Sequence, residues 1–402
     1  MALRTLSRTS SKPNNSCHPY LIVTATGSRK PAATTSSPGA TSRPHLPTEI
    51  LDQIVDIAVR DAEDSLLSRF VAIRSFSRSS RKFRIIALRA FLRVLDFGDQ
   101  EVYWHSVCNM MRCEERRMDS CSCFAFVRSL TSASRSMILH PFRLGSFLNL
   151  RNLTIDTTNQ GLGTQHCFFK HIFSELFQSP MSTLKQLSLK SVPRLDPSLL
   201  EFVSRCFPCL TDLSVSTTER LAPTSYDCPC YFCLDEILSV TFHSPIPIMF
   251  STAERLAQAY SFALLPLSTT LTNLHLGIYL SDEELLYRHA AHDTENFGIF
   301  NRPMACDVCD ELVGEDVRIK EHLASAIMAR NLNSLKYISW SSLFADIHLE
   351  IQEKTEKSVL YKESERGSET SCMKGLGTAA YRVLRMGNEV EVQKFRCPTD
   401  RP

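Results

Sequence analysis

The stretch Leu150-Arg151-Asn152-Leu153-Thr154-Ile155 returns as Leu184-Lys185-Gln186-Leu187-Ser188-Leu189 and again as Leu210-Thr211-Asp212-Leu213-Ser214-Val215, apolar each time at the first, fourth and sixth positions. The same spacing recurs at Ile237, Val240, Phe242, at Leu271, Leu274, Leu276 and at Leu335, Ile338, Trp340. Successive starts lie 34, 26, 27, 34 and 64 residues apart. Units of this pattern run about 20 to 29 residues and carry one strand each, so two intervals fit, the longer ones imply insertions, and the last spans about two repeats. Leu92, Leu95, Phe97 and Val127, Leu130 read as degenerate copies at the start of the array.

Helical segments lie between these strands. Phe169, Ile172, Phe173, Leu176 and Phe177 follow the spacing of one helix face. Asp196 before Pro197 is an N-cap ahead of Leu199, Leu200 and Val203, and Ser251 with Glu254 and Ser281 with Glu284 make capping boxes. Strand and helix alternating at a repeat interval predict an α/β solenoid with parallel strands and outer helices over residues 93–345, each unit burying its apolar face on its neighbours.

Upstream, Leu46-Pro47-Thr48-Glu49-Ile50-Leu51-Asp52-Gln53-Ile54-Val55-Asp56-Ile57-Ala58 predicts a helix, with Pro47 in its first turn, where a missing N–H is harmless. At about 100° per residue, Ile50, Leu51, Ile54, Val55, Ile57, Ala58 and Val59 fill an apolar arc of roughly 200°, about twice what a surface helix needs. Leu66 to Phe76 and Arg81 to Leu92 continue at helical spacing, giving a three-helix unit over 46–92 with more apolar surface than so small a body covers by itself.

The string from Leu46 to Ala58, followed by Leu67-Ser-Arg-Phe-Val-Ala-Ile-Arg-Ser-Phe-Ser-Arg-Ser-Ser-Arg-Lys-Phe-Arg-Ile-Ile-Ala87, resembles the F-box, the helical module that docks on the Skp-type adaptor of a cullin-RING ubiquitin ligase. It departs from compact F-boxes in its longer Val59 to Ser65 segment, which carries Arg60, Asp61, Glu63 and Asp64. The resemblance implies adaptor contacts at Leu46, Pro47, Ile50, Leu51, Ile54, Val55, Phe70 and Phe83. The downstream array is similar to the irregular leucine-rich repeats of fungal-type F-box proteins. The family's Asn two positions past the third apolar residue is replaced by Thr157, Ser191, Thr217, Ser244, Ile278 and Ser342. Together the two resemblances imply a non-catalytic substrate receptor of an SCF-type ligase, bound to the adaptor and through it to a cullin. The alternative is a leucine-rich-repeat scaffold whose helical start only caps the array.

If Leu153, Leu187, Leu213, Val240, Leu274 and Ile338 face the core, their neighbours face solvent. That puts Asn152, Thr154, Gln186, Ser188, Asp212, Ser214, Ser239, Thr241, Asn273, His275, Tyr337 and Ser339 on the face expected to meet a target protein. Tyr337 is the expected hot spot, being the large aromatic of the set.

Composition narrows the function classes. The 402 residues hold 45 Lys and Arg against 43 Asp and Glu, a net +2 that supplies no general field for a polyanion, so nucleic acid is not an expected partner. Neither GxGxxG nor GxxxxGK[ST] occurs, so no phosphate-cradling loop is read. The adjacent pairs Glu114, Glu115 and Glu283, Glu284 diverge on a helix and lack general acid and base geometry, and no Gly-x-Ser-x-Gly elbow occurs. No apolar run reaches the ~18 residues of a membrane span. Reduced thiols and a cytoplasmic or nuclear location are expected.

Residues 1–45 hold 15 Ser or Thr, five Pro, six Lys or Arg and no acid, which predicts a disordered leader; Arg4, Arg8 and Lys12 also suit a mitochondrial transit peptide, which Pro13 interrupts. Residues 346–402 read as a charged tail whose Tyr381 to Phe395 segment folds back around Met386, Gly387 and Asn388 as a hairpin.

Of the 15 Cys, Cys230 with Cys233 and Cys306 with Cys309 form two C-x-x-C pairs. Four such thiolates can close a structural Zn²⁺ site, the one cofactor considered. Their separation of 72 residues is far beyond a zinc ribbon's, and unpaired thiols or a redox pair are the other readings. His289 and His292 could join Cys306 and Cys309, whereas His322 has no second His at finger spacing.

Overall fold

A computed structural model describes residues 46–62, 65–98, 100–117, 122–139, 146–173, 181–217, 250–281, 308, 310–342, 378–387 and 389–395. The chain divides into two units, Met1–Pro47 and Thr48–Pro402. Of the first only Leu46 and Pro47 are described, and both are exposed.

The second unit opens with three helices: α1 (Thr48–Arg60), α2 (Leu66–Ser79) and α3 (Arg81–Leu92). The Ser65 hydroxyl accepts the Ser68 N–H (3.0 Å) to start α2, and Ser80 accepts that of Phe83 (3.2 Å) to start α3, each satisfying a donor the helix itself cannot. Then follow β1 (Val94–Asp96), α4 (Glu101–Arg117), β2 (Ser129–Ala133), α5 (Ser134–Leu139), β3 (Asn152–Asp156), α6 (Leu162–His171), β4 (Gln186–Val192), α7 (Pro197–Cys206), β5 (Asp212–Thr217), α8 (Ala253–Ala263), β6 (Asn273–Tyr279), α9 (Glu315–Asn331), β7 (Tyr337–Ser341), β8 (Thr378–Met386) and β9 (Glu389–Phe395). The protein is thus α/β. Among the described residues no helix is long and apolar enough to cross a membrane.

One sheet takes the strands in chain order, β1 to β9, parallel through β7 and antiparallel for the last two. The register aligns Leu95, Leu130, Leu153, Leu187, Leu213, Leu274, Ile338 and Tyr381 across eight strands, every one buried. A second buried row runs Ile155, Leu189, Val215, Leu276, Trp340, Ala379. Against them pack Leu199, Leu200 and Val203 of α7, Leu256 and Tyr260 of α8, and Ala324 and Met328 of α9. At Asp196 the N-cap expected from sequence forms, its carboxylate accepting the Leu199 N–H at 2.9 Å. For α8 the cap is Thr252 rather than Ser251, because burial of Ala253, Leu256, Ala257 and Tyr260 sets the helix phase one residue later.

β5 pairs directly with β6 and β6 with β7, so no strand stands in the sheet between them. Residues 237–242 lie outside the described residues, and over the interval from Leu271 to Leu335, expected to span about two repeats, the next strand among the described residues is β7. Close β5 to β6 packing needs Gly277, where an added Cβ would lie 2.6 Å from the Ser216 Cα. The hairpin expected around Met386 and Gly387 forms, with Gly387 at φ +63°. Its first strand begins at Thr378 and lies along β7, with Ala379 and Tyr381 buried, so this part of the expected charged tail belongs to the sheet. Arg385 holds it there by donating to the carbonyls of Ala329 (2.8 Å) and Leu332 (2.7 Å) at the end of α9.

Adjacent residues on β5 should therefore respond oppositely to truncation. Leu213→Ala should cost about 2 to 5 kcal/mol, the range for a buried Leu that leaves a cavity. Ser214→Ala, on the other face, should stay within about 0.5 kcal/mol. Urea denaturation of both variants against the unaltered chain checks this, and equal losses would mean the two faces are misassigned.

Candidate functional site

Two surfaces are candidates for partner binding. The first is on the helical unit. Leu51, Val55 and Val59 of α1 are buried, while Ile50, Ile54 and Ile57, the i, i+4, i+7 set on the same helix, are 40%, 50% and 52% exposed. On α2, Leu67 and Val71 are likewise exposed while Leu66 and Ile73 are buried. The wide apolar arc read from sequence is therefore divided, half packing inward and half open. Of the expected adaptor contacts, Leu46, Pro47, Ile50 and Ile54 are exposed. Leu51 and Val55 depart from that expectation, since the same arc also has to pack against the rest of the unit. Phe70 and Phe83 are half-buried, Phe70 edge-on to Phe91 (ring centroids 5.6 Å apart) and Phe83 stacked on Phe76 (4.6 Å). Ile57, Leu67 and Val71 complete the exposed set; Ile57 lay inside the sequence arc and the α2 pair shows the same i, i+4 spacing.

The second surface is the sheet face opposite the helices. Asn152, Gln186, Asp212, Asn273 and Tyr337 stand in one row across β3 to β7, and Thr154, Ser188, Ser214, His275 and Ser339 in the next. All ten are exposed or half-buried. Ser239 and Thr241 lie outside the described residues. The first row carries a sideways polar chain in which the Asp212 carboxylate accepts from the Thr211 hydroxyl (2.5 Å) and from the Asn273 amide. In the second row His275 Nδ1 shares a hydrogen bond with the Ser339 hydroxyl (2.9 Å), while Nε2 is shut off from solvent and has no hydrogen-bond partner among the described residues. Enclosure drops the imidazole to about 4, since a buried cation loses its hydration. This face can make directional hydrogen bonds and holds few charges.

Cys230, Cys233, Cys306 and Cys309 lie outside the described residues, as do His289 and His292. Among the described residues no group of three or more His, Cys, Asp or Glu is placed to hold a metal ion. His322 Nε2 meets the Val392 carbonyl at 2.9 Å. No protein-family profile, no curated protein and no solved structure matches the chain.

His275 gives this face a pH dependence. Its folded value lies below the unfolded value of 6.5, so the stability it confers is complete above about pH 6.5 and is lost as pH falls toward about 4. The loss is up to about 3 kcal/mol. His275→Asn should flatten the stability profile over that window in denaturation measured from pH 7.5 to 4; an unchanged slope would mean that the imidazole is solvated.

Proposed function

We propose that the chain is the substrate-recruiting subunit of a cullin-RING ubiquitin ligase of the SCF type, with residues 46–92 as an F-box-like docking module and β1 to β7 as an irregular leucine-rich-repeat array. The observation that carries this reading is the divided apolar face of α1. A helix that only capped the array would bury both halves or make the outer half polar, since leaving Ile50, Ile54 and Ile57 in water forgoes about 1.5 to 3 kcal/mol each. Such a face suits a constant hydrophobic partner, and the resemblance supplies one, the Skp-type adaptor. The polar sheet face, with Tyr337 exposed beside Asn273, is the proposed substrate side. In this reading the ubiquitin chemistry belongs to other subunits.

Affinity purification of the full chain should bring down the adaptor and a cullin. Ile50→Ala with Ile54→Ala should weaken adaptor binding at least about a hundredfold, as the loss of about 3 kcal/mol implies, with folding checked by circular dichroism. Leu51→Ala should instead lower thermal stability. Recovery of neither adaptor nor cullin would leave the repeat scaffold as the better reading.

A further inference from the structure

A third feature emerges only once the strands are in register. On each strand, one residue precedes the first open-face position: Arg93 before β1, Arg128 before β2, Arg151 before β3 and Lys185 before β4. Main-chain hydrogen bonds hold these four in one line. The Arg93 carbonyl accepts the N–H groups of Arg128 (2.9 Å) and Ser129 (3.1 Å), the Arg128 carbonyl those of Arg151 (2.8 Å) and Asn152 (3.0 Å), and the Arg151 carbonyl those of Lys185 (2.8 Å) and Gln186 (2.9 Å). Strands stand about 4.8 Å apart, so four cations occupy about 14 Å of one sheet rim. At β5 and β6 the same position is Thr211 and Thr272, and the run ends.

Arg93, Arg151 and Lys185 are exposed and Arg128 is half-buried. Arg93 pairs with Asp56 at 3.1 Å on the surface, Arg128 donates to the Asn149 carbonyl (3.4 Å) and Lys185 to that of Cys209 (3.3 Å). The Arg151 guanidinium has no hydrogen-bond or ion-pair partner among the described residues. In a chain of net charge +2, this is a local concentration of positive charge with one ion-paired carboxylate, Asp56, among the described residues.

We infer that this rim binds an extended Asp/Glu-rich segment of a partner protein. Charge complementarity selects an acidic ligand. The cations are spread one per strand, which fits singly charged carboxylates along a chain, whereas a phosphate dianion is best held by several donors converging on one point. An extended segment of about four or five residues spans the run. Beside the four cations the neighbouring row holds Ser129, Asn152 and Gln186, which offer hydroxyl and amide groups to a peptide backbone; the aromatic ring of that row, Tyr337, stands three strands beyond Gln186, so nucleic-acid bases would find no stacking partner along the run. The inference gives the target of the proposed receptor a chemical class and rests on that reading only in taking the ligand to be a protein. Its test uses the full chain without adaptor, so the failure of either is read separately.

Fluorescence anisotropy with a labelled, alternating Glu-Ala peptide of about twelve residues should show binding at about 50 mM salt that weakens about tenfold by about 300 mM. Arg151→Glu with Lys185→Glu should weaken it at least about tenfold. Lys170→Glu with Arg205→Glu, an equal charge change on the exposed surfaces of α6 and α7, should stay within about twofold. Equal losses in both pairs would reduce the effect to net charge and overturn the assignment. So would no binding by the unaltered chain, or tighter binding of a thymidine oligonucleotide or a phosphoserine peptide of matched length.

Discussion

Everything else in this structure depends on the buried row from Leu95 to Tyr381. A parallel sheet is ordinarily covered on both faces; among the described residues helices cover one, and the apolar burial that stabilises the sheet falls on that side. Eight large side chains in one row leave little freedom in register, because a slip of one residue would put Leu153 or Leu213 into water and Thr154 or Ser214 into the core. The polar rows and the basic rim are consequences of that constraint. Their own side-chain bonds, Asp212 with Asn273 and His275 with Ser339, form within a register that the buried row sets.

The end of the sheet is closed by different chemistry. Glu321 on α9 is fully buried and its Oε2 accepts from the Tyr381 hydroxyl at 3.1 Å, while its Oε1 has no hydrogen-bond partner among the described residues. Burial pushes its carboxyl above the usual range, against the pull of hydrogen bonds from Ser342 and Tyr381 and of the charges on Lys394 and Arg318. Beside it, Trp340 donates to the Ser325 hydroxyl (2.8 Å), which donates in turn to the Glu321 carbonyl (2.7 Å). A buried polar group costs most when half satisfied, so this cluster is specific rather than strong. It ties β7, α9 and the hairpin into one arrangement, and the hairpin covers the edge of β7, which would otherwise present unpaired main-chain groups.

Much of this was legible in the residues. The apolar spacing at Leu150, Leu184, Leu210, Leu271 and Leu335 marks strands β3 to β7, and Asp196 before Pro197 marks the start of α7. What the sequence could not show is which elements become neighbours across long intervals. The 61-position separation of Asp212 and Asn273 leaves the hydrogen-bonded pairing of β5 with β6 unspecified, and local periodicity reports nothing about it. The hairpin at Gly387 was readable from its turn, but its seat on β7 depends on Tyr381 finding Glu321, a contact 60 residues apart. The division of the α1 arc was hidden for a similar reason: periodicity gives the width of an apolar face, and only packing tells which half is used. The basic rim went unread because Arg128, Arg151 and Lys185 are far apart in sequence and become neighbours only in register.

The two ends of the proposed receptor would then work by different physics. Apolar burial on α1 is short-ranged and insensitive to salt, which suits an interface made the same way each time. A polar face bordered by cations gains less per unit area, because each hydrogen bond replaces one to water. It gains selectivity, since a partner lacking the matching acid or acceptor leaves groups unpaired at real cost. Keeping the sheet's hydrophobic energy on the helix side leaves Asn152, Gln186, Ser188 and Ser214 free of any part in the core. Substitutions among them can retune a target without loosening the ladder beneath.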